Sequence, residues 1–308
     1  MKLYKDVSLK HFSYWRVGGT ADFLFIVNSI MELKDALCFL NKLDLPFIII
    51  GNTSNLLFSD SGVRGGLIKL GPEFSYCQFE KQSITVGAGI YLPNLVRQCV
   101  NRGLSGIEHL IGVPATLGGA IHMNAGSQRK SISERLISID SIDESGVLIT
   151  RSKGDCIFSY RNSIFQSNSE LILSATIHLD YKEISLIRRE CLDILKSRNQ
   201  KFPRKKPSCG SVFISNPSMY DRYGPPGKII EDIGLKGFKI GGASISSKHA
   251  NFIVNDGDAR AVDILSLIAI AIEKVKAETG FQLESEAKYV SEDCVLINAD
   301  TAALTLIG

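Results

Sequence analysis

The stretch Gly112-Val-Pro-Ala-Thr-Leu-Gly-Gly-Ala120, followed by Met123-Asn-Ala-Gly126, constrains this 308-residue chain more than any other. Paired glycines let the backbone approach a ligand closely, and successive amides in such a loop form an anion-binding concavity. A second loop, Gly51-Asn-Thr-Ser-Asn55, offers the same geometry with hydroxyl and amide donors and no positive charge. Either loop alone reads more readily as an ordinary tight turn. Two of them on neighbouring units suit a diphosphate gripped by backbone amides. Neither gives G-x-G-x-x-G between a strand and a helix, and no acidic residue stands at the ribose position, so a Rossmann site is disfavoured.

The flanking pattern is mixed. Ala21–Val27 reads as a strand running into a helix opened by a capping box, Ser29-x-x-Glu32, with Leu33, Ala36, Leu37 and Leu40 on one face. Pro46–Ile50 reads as a buried strand that empties into the Gly51–Asn55 loop. A second strand–turn–helix unit starts near Ile84 and stops at Gly103. Leu136–Thr150 predicts a hairpin turned at Glu144-Ser145-Gly146, Glu170–Asp180 a strand, and Ile184–Arg198 a helix. The basic, proline-punctuated run Lys201–Pro207 is the best boundary between domains. Beyond it the pattern predicts a short strand at Ser211–Ile214, a short helix after the Tyr223–Gly227 loop, and a strand at Asn251–Val254. The longest helix is expected over Ala259–Thr279 with Asp258 as N-cap and Gly280 as C-cap, then a strand over Phe281–Val290 and a mildly apolar tail, free or packed back. The class is α+β with at least two lobes.

Composition narrows the function. Hydrophobic residues at 44% and charged residues at 22% make a globular core and exclude a disordered chain. The net charge, 35 − 32 = +3, is too small and too evenly spread to point to nucleic acid or a membrane surface. The longest apolar run, Ile264–Ile272, is far short of the ~20 residues of a membrane span, and the N-terminus lacks a signal-peptide pattern. Seven scattered cysteines without a C-x-x-C read as reduced thiols in a cytoplasmic protein, and no zinc spacing appears.

Seven segments occur in one order: Arg16–Gly19, Gly51–Asn55, Gly112–Gly126, Phe158–Phe165, Ser208–Phe213, Gly227–Gly237 and His249–Asn255. Together they resemble the MurB family, the UDP-N-acetylenolpyruvoylglucosamine reductases of peptidoglycan precursor synthesis, over about residues 7–290. The resemblance implies a PCMH-type FAD-binding domain of two α/β subdomains (1–181, divided near residue 70), a C-terminal α+β substrate-binding domain (182–290) and a tail (291–308). The short passage from Asp180 to Lys201 is similar to the subgroup without the extra substrate-covering loop. It further implies dissociable FAD, NADPH as co-substrate, UDP-N-acetylglucosamine enolpyruvate as substrate, a monomer, and a role in cell wall biogenesis, cell shape and division.

The implied reaction reduces an enol ether conjugated to a carboxylate. Hydride adds to the β-carbon, charge builds on the carboxylate, and a proton reaches the α-carbon. A permanently charged planar fork suits the first need, and the family's catalytic arginine falls on Arg161, with Tyr160 beside it as a substrate contact. The family's proton donor falls on Ser211; a serine is a poor acid by itself and needs neighbours that stabilise its alkoxide. Alternation places Glu284, Glu286 and Lys288 on one strand face, and family register chooses Glu286. Ser285 and Lys288 replace the proline and arginine of the family's L-E-P-E-V-R. Asn216 is the family's substrate-contacting asparagine, in a segment one residue longer than the family's G-S-x-F-x-N-P. The cofactor residues implied are Gly51, Asn52, Thr53, Ser54 and Asn55 of one loop, with Gly112, Thr116, Gly118, Gly119, Asn124, Ala125 and Gly126 of the other. Among the basic residues Lys201, Arg204, Lys205 and Lys206 at least one is placed to meet a diphosphate, and His109 and His122 read as packed or capping. The competing readings are a PCMH oxidase of a sugar or hydroxy acid, against which the absent covalent-flavin histidine pattern counts, and a degenerate, non-enzymatic flavin or nucleotide-sugar binder.

Overall fold

Ser29 and Glu32 open the first helix as their spacing predicts. Ser29 Oγ accepts from the Glu32 amide at 3.1 Å, and Glu32 Oε2 accepts from the Asn28 amide at 2.7 Å. The helix, Ile30–Lys42, buries Leu33, Ala36, Leu37 and Leu40 against a four-stranded sheet in the order Lys2–Ser8, Thr20–Val27, Val63–Leu70, Phe47–Ile50. The last three strands are parallel and the first is antiparallel to its neighbour. The structure is a computed structural model that describes residues 1–220 and 222–306.

The second unit is a five-stranded antiparallel sheet in the order Leu148–Ser152, Leu136–Ile142, Leu171–His178, Ser83–Gly87, Cys77–Glu80. Gly146 takes φ +86° at the expected hairpin turn. Helices Leu92–Val100 and Leu117–His122 share this sheet's apolar core through Leu92, Leu95, Val96, Leu117, Ala120 and Ile121. The helix expected to end at Arg198 continues to Lys201.

Helix Ala261–Thr279 is the centre of the third core, which also gathers Trp15, Val17 and Leu57 from the first unit. A small antiparallel sheet, Lys239–Ile240, Ala243–Ile245 and Ile253–Asn255, lies on it. Its C-terminal cap is Gly280 at φ +71°, as the sequence predicts, but its N-terminal end differs. It starts at Ala261, and the Asp60 carboxylate accepts from the amides of Ala261 (2.7 Å) and Val262 (3.0 Å). The cap arrives from 201 residues away, so Asp258 is not needed for it.

Two expected strands are corrected. Ser211–Ile214 forms no ladder: Phe213 makes a single bridge with Ser285, while the Asn251 side chain takes both the Phe213 amide and carbonyl at 2.9 Å. Of Phe281–Val290 only Lys288–Val290 is laddered, in parallel with Leu56–Phe58 and antiparallel to Leu296–Asn298. The tail, described to residue 306, is therefore built in. After its strand, helix Ala299–Thr305 buries Ala299, Ala302 and Ala303 in the third core.

Candidate active site

The three units leave a cavity of about 1250 Å³ between them. That exceeds the ~300–1,000 Å³ of an ordinary single-ligand pocket, which fits a site taking a cofactor and a second molecule. Both glycine loops reach it, and so do Arg161, Ser211 and Glu286.

The Gly51–Asn55 loop is held by its side chains. Asn52 Nδ2 donates to the Pro114 carbonyl (2.8 Å) and to Tyr14 Oη (3.1 Å), and Thr53 Oγ1 donates to the Phe12 carbonyl (2.5 Å). The amides of Asn52, Thr53, Ser54 and Asn55 donate to no described residue. Uncommitted amides on a rigid loop are what an anion needs, since no bond must break before it binds. The second loop meets the first directly: a Cβ on Gly51 would sit 2.6 Å from Thr116 Oγ1. Thr116 caps helix Leu117–His122, its hydroxyl accepting from the Gly119 amide at 3.3 Å. Free amides, hydroxyls and a large cavity continuing from them fit the diphosphate and rings of FAD.

Arg161 sits at φ +55°, a strained conformation for a non-glycine residue. Ser159 and Asn162 close its turn with reciprocal backbone bonds of 3.1 and 3.2 Å. Asn124 Nδ2 donates to the Ser159 carbonyl (2.7 Å) and Gln166 Nε2 to the Arg161 carbonyl (2.9 Å). The guanidinium then reaches the Gly126 carbonyl through Nη2 (3.1 Å) and the Glu286 carboxylate through Nε (2.7 Å). That ion pair is close, yet the Nε–H is not aligned on the carboxylate as a hydrogen bond. Its charge is left with fork donors for a further anion.

Glu286 is tied on both sides. Its amide donates to the Val212 carbonyl (2.7 Å), next to Ser211, and its carbonyl accepts from Asn55 Nδ2 (2.8 Å), in the first glycine loop. Burial pushes its carboxyl above the ordinary carboxylate range, with Arg161 opposing. Ser211 follows Gly210, at φ +79°, and Cys209, whose buried thiol contacts the Thr53 and Leu56 carbonyls at 3.7 and 3.5 Å. The Val212 amide donates to the Asn251 carbonyl at 2.8 Å. A hydroxyl, a guanidinium and a carboxyl whose proton affinity burial raises thus face one cavity.

Of the cofactor positions, Gly51, Asn52, Thr53, Ser54, Asn55, Thr116, Gly118, Gly119, Ala125 and Gly126 line the cavity, whereas Gly112 and Asn124 do not. Gly112 makes room for Arg198, whose Nε would lie 2.4 Å from a Cβ there, and Asn124 is spent on the Arg161 turn. Tyr160 is exposed beside the Arg161 guanidinium, 5.0 Å from ring centre to Cζ, and neither it nor Asn216 lines the cavity. Of the basic stretch, Lys206 pairs with Asp256 and Arg204 donates to Asn199. Cavity-lining groups that the sequence reasoning missed are Tyr14, Lys69 and Arg198. Burial lowers the pKa of Lys69, Arg198 and Lys288 and raises Tyr14 to about 12. A cation so desolvated gains most from an anionic ligand, but a lone Lys69 or Arg198 carries no motif that sequence could flag.

Comparison with known proteins agrees with this geometry. Residues 21–152 match an FAD binding domain, and residues 202–290 match the C-terminal domain of UDP-N-acetylenolpyruvoylglucosamine reductase. UDP-N-acetylenolpyruvoylglucosamine reductase 1 of Corynebacterium glutamicum is 42% identical over 286 residues, covering 93% of this chain and 85% of the relative. The reductase of Protochlamydia amoebophila is 39% identical over 285 residues, covering 92% and 93%. The crystal structure of the enzyme (MurB) from Thermus caldophilus superposes with a TM-score of 0.80 at 33% identity, covering 94% of this chain and 99% of that one. With family models matching residues 21–152 and 202–290 and relatives 39–42% identical over more than nine-tenths of its length, the chain belongs to the UDP-N-acetylenolpyruvoylglucosamine reductase family.

Proposed function

We propose that this chain reduces UDP-N-acetylglucosamine enolpyruvate to UDP-N-acetylmuramate with NADPH, in the cytoplasm, for peptidoglycan synthesis. The observation that carries the reading is the convergence of Arg161, Ser211 and Glu286 on the cavity that the two glycine loops also line. The free amides of Asn52–Asn55 would hold FAD without a covalent bond, and the flavin would supply the hydride chemistry between NADPH and the enolpyruvyl group.

The protein's own groups do the rest. Arg161, with its Nη2 on the Gly126 carbonyl and its Nε–H unaligned, presents its remaining donors to the substrate carboxylate and stabilises the charge that gathers there in the transition state. Ser211 gives its hydroxyl proton to the α-carbon, forming the C–H bond as its O–H breaks, and recovers a proton from solvent. Glu286, whose proton affinity burial raises against the pull of Arg161, is the acid group placed to help polarise the enol ether as charge develops. One cavity for both half-reactions has NADPH and the sugar nucleotide bind in turn.

The test follows the flavin absorbance anaerobically as NADPH and then the enolpyruvyl sugar nucleotide are added. Bleaching and recovery are expected in the native chain. Ser211→Ala should bleach normally and recover almost not at all; equal loss of both steps would contradict its role. Bleaching of the native chain without recovery would overturn the substrate.

A further inference from the structure

Glu286 stands in a segment, 281–287, that lies outside the ladder, and its own backbone bonds go to Val212 and Asn55. Its two neighbours anchor it further. Ser285 is 3% exposed and Ala287 fully buried, on the opposite face from Glu286 by the two-residue alternation of an extended chain. Both are bonded to the start of helix Ala299–Thr305. The Ser285 amide donates to Asp300 Oδ2 (3.0 Å), and the Asp300 amide donates back to Ser285 Oγ (3.0 Å). The single Ser285 hydroxyl proton serves Asp300 Oδ1 (3.1 Å) or the Ala287 carbonyl (3.0 Å), and the Ala299 amide donates to that same carbonyl (3.0 Å). One residue earlier, Asn298 Oδ1 accepts from Lys288 Nζ at 2.6 Å. The helix is fixed in turn by Ala299, Ala302 and Ala303 in the third core.

From this arrangement we propose that Asp300 is a positioning residue for Glu286, acting through Ser285, and that the C-terminal segment is part of the active-site scaffold. A closed set of bonds in a dry setting polarises its members and admits one geometry. Removing Asp300 leaves the buried Ser285 amide without an acceptor, and the segment shifts to find one. Glu286 moves with it, relative to Ser211 and Arg161. The segment lies beyond residues 202–290, the span matched to the family's C-terminal domain.

The inference rests on the role proposed for Glu286, and its test separates the two. Flavin reduction by NADPH and reoxidation by the enolpyruvyl sugar nucleotide are timed separately, with the thermal midpoint, for the native chain, Asp300→Ala, Asp300→Asn and Ser29→Ala. Asp300→Ala should slow reoxidation on the order of tenfold, the scale for a sub-ångström misplacement, and leave flavin reduction unchanged. Asp300→Asn keeps an acceptor for the Ser285 amide and should recover most of the rate. Ser29→Ala removes the cap of helix Ile30–Lys42, which does not line the cavity; it should lower the thermal midpoint and leave both rates alone. Unchanged reoxidation in Asp300→Ala, equal slowing of both steps, or slowing of reoxidation by Ser29→Ala would overturn the inference. If Asp300→Ala does not fold, Ser285→Ala removes the hydroxyl bonds alone and should slow reoxidation a few-fold; no change there overturns it equally. A native chain that the substrate does not reoxidise overturns the proposed function instead.

Discussion

Gly51→Ala probes whether the two glycine loops form one site. The new Cβ would stand 2.6 Å from Thr116 Oγ1, well inside any normal contact, with Thr116 Cβ next at 3.8 Å and Gly119 Cα at 3.9 Å. Relief requires the Thr116 hydroxyl to swing off the Gly119 amide or the loops to part. Losing the cap costs about 1 kcal/mol, and overpacking of this kind about 1–3 kcal/mol. At about 2–4 °C per kcal/mol, the apoprotein midpoint should fall by several degrees. Thr116→Ala alone should cost the cap, about 1 kcal/mol. In that background the clash is gone, because the remaining neighbours lie at ordinary contact distance, and Gly51→Ala becomes neutral or slightly stabilising. The double-mutant cycle should show coupling of at least ~1 kcal/mol, beyond the ~0.5 kcal/mol scatter of independent sites. FAD affinity, read by quenching of flavin fluorescence, should drop on the order of tenfold in Gly51→Ala and return in the double variant to the Thr116→Ala value. Additive midpoints, or FAD affinity indifferent to Gly51→Ala, would refute a single site shared by the loops.

Three further outcomes follow from the same geometry. Arg161→Lys loses the fork that reaches Gly126 and Glu286 together, so stopped-flow reoxidation by substrate should slow about 10²–10³-fold while flavin reduction persists. Asp60→Ala removes the acceptor for two amides of helix Ala261–Thr279; the cost of about 1 kcal/mol should appear as a lower midpoint, and no change would mean water serves as well. His109 is 2% exposed with both ring nitrogens unpartnered among the described residues, and burial lowers it from 6.5 to about 4. A base with a depressed folded pKa stabilises the fold above pH 6.5 and loses that as pH falls toward 4. The difference is about 3 kcal/mol at 1.36 kcal/mol per unit. His109→Leu should therefore flatten the acid side of a midpoint-versus-pH curve and be neutral or stabilising at pH 7; an unchanged acid limb would rule His109 out.

What the sequence made legible was what it encodes locally. Ser29 and Glu32 lie three residues apart, so their cap could be read, as could Gly280 and the turn at Gly146. The α+β class followed from such signals, and the matches to known proteins agree with it. Val63–Leu70 escaped notice because two adjacent glycines break its apolar pattern, although it is the shared middle strand of the first sheet. The errors at Asp258, Ser211–Ile214 and Phe281–Val290 have one physical cause. Each takes part of its backbone bonding from a side chain distant in sequence, Asp60, Asn251 or Asp300, and the two strand-like segments share only a single bridge at Phe213 and Ser285.

That cause bears on the site itself. A ladder fixes a strand but offers its atoms only to other strands, whereas a segment held by a few distant side chains can present a reactive group at a junction of three units. Ser211 sits on such a segment, between Cys209 against the first glycine loop and Val212 on Asn251. Glu286 sits on another, bonded to Val212 and Asn55, and Arg161 on a strained turn pinned by Asn124 and Gln166. Ser211 and Glu286 are thus fixed by contacts that cross units, and the turn of Arg161 by an asparagine 35 residues before it, which no periodicity in one stretch of chain could reveal. The same feature makes Asp300→Ala a test of docking as well as of chemistry, since Asp300 does not line the cavity and its bonds go to the residues beside Glu286.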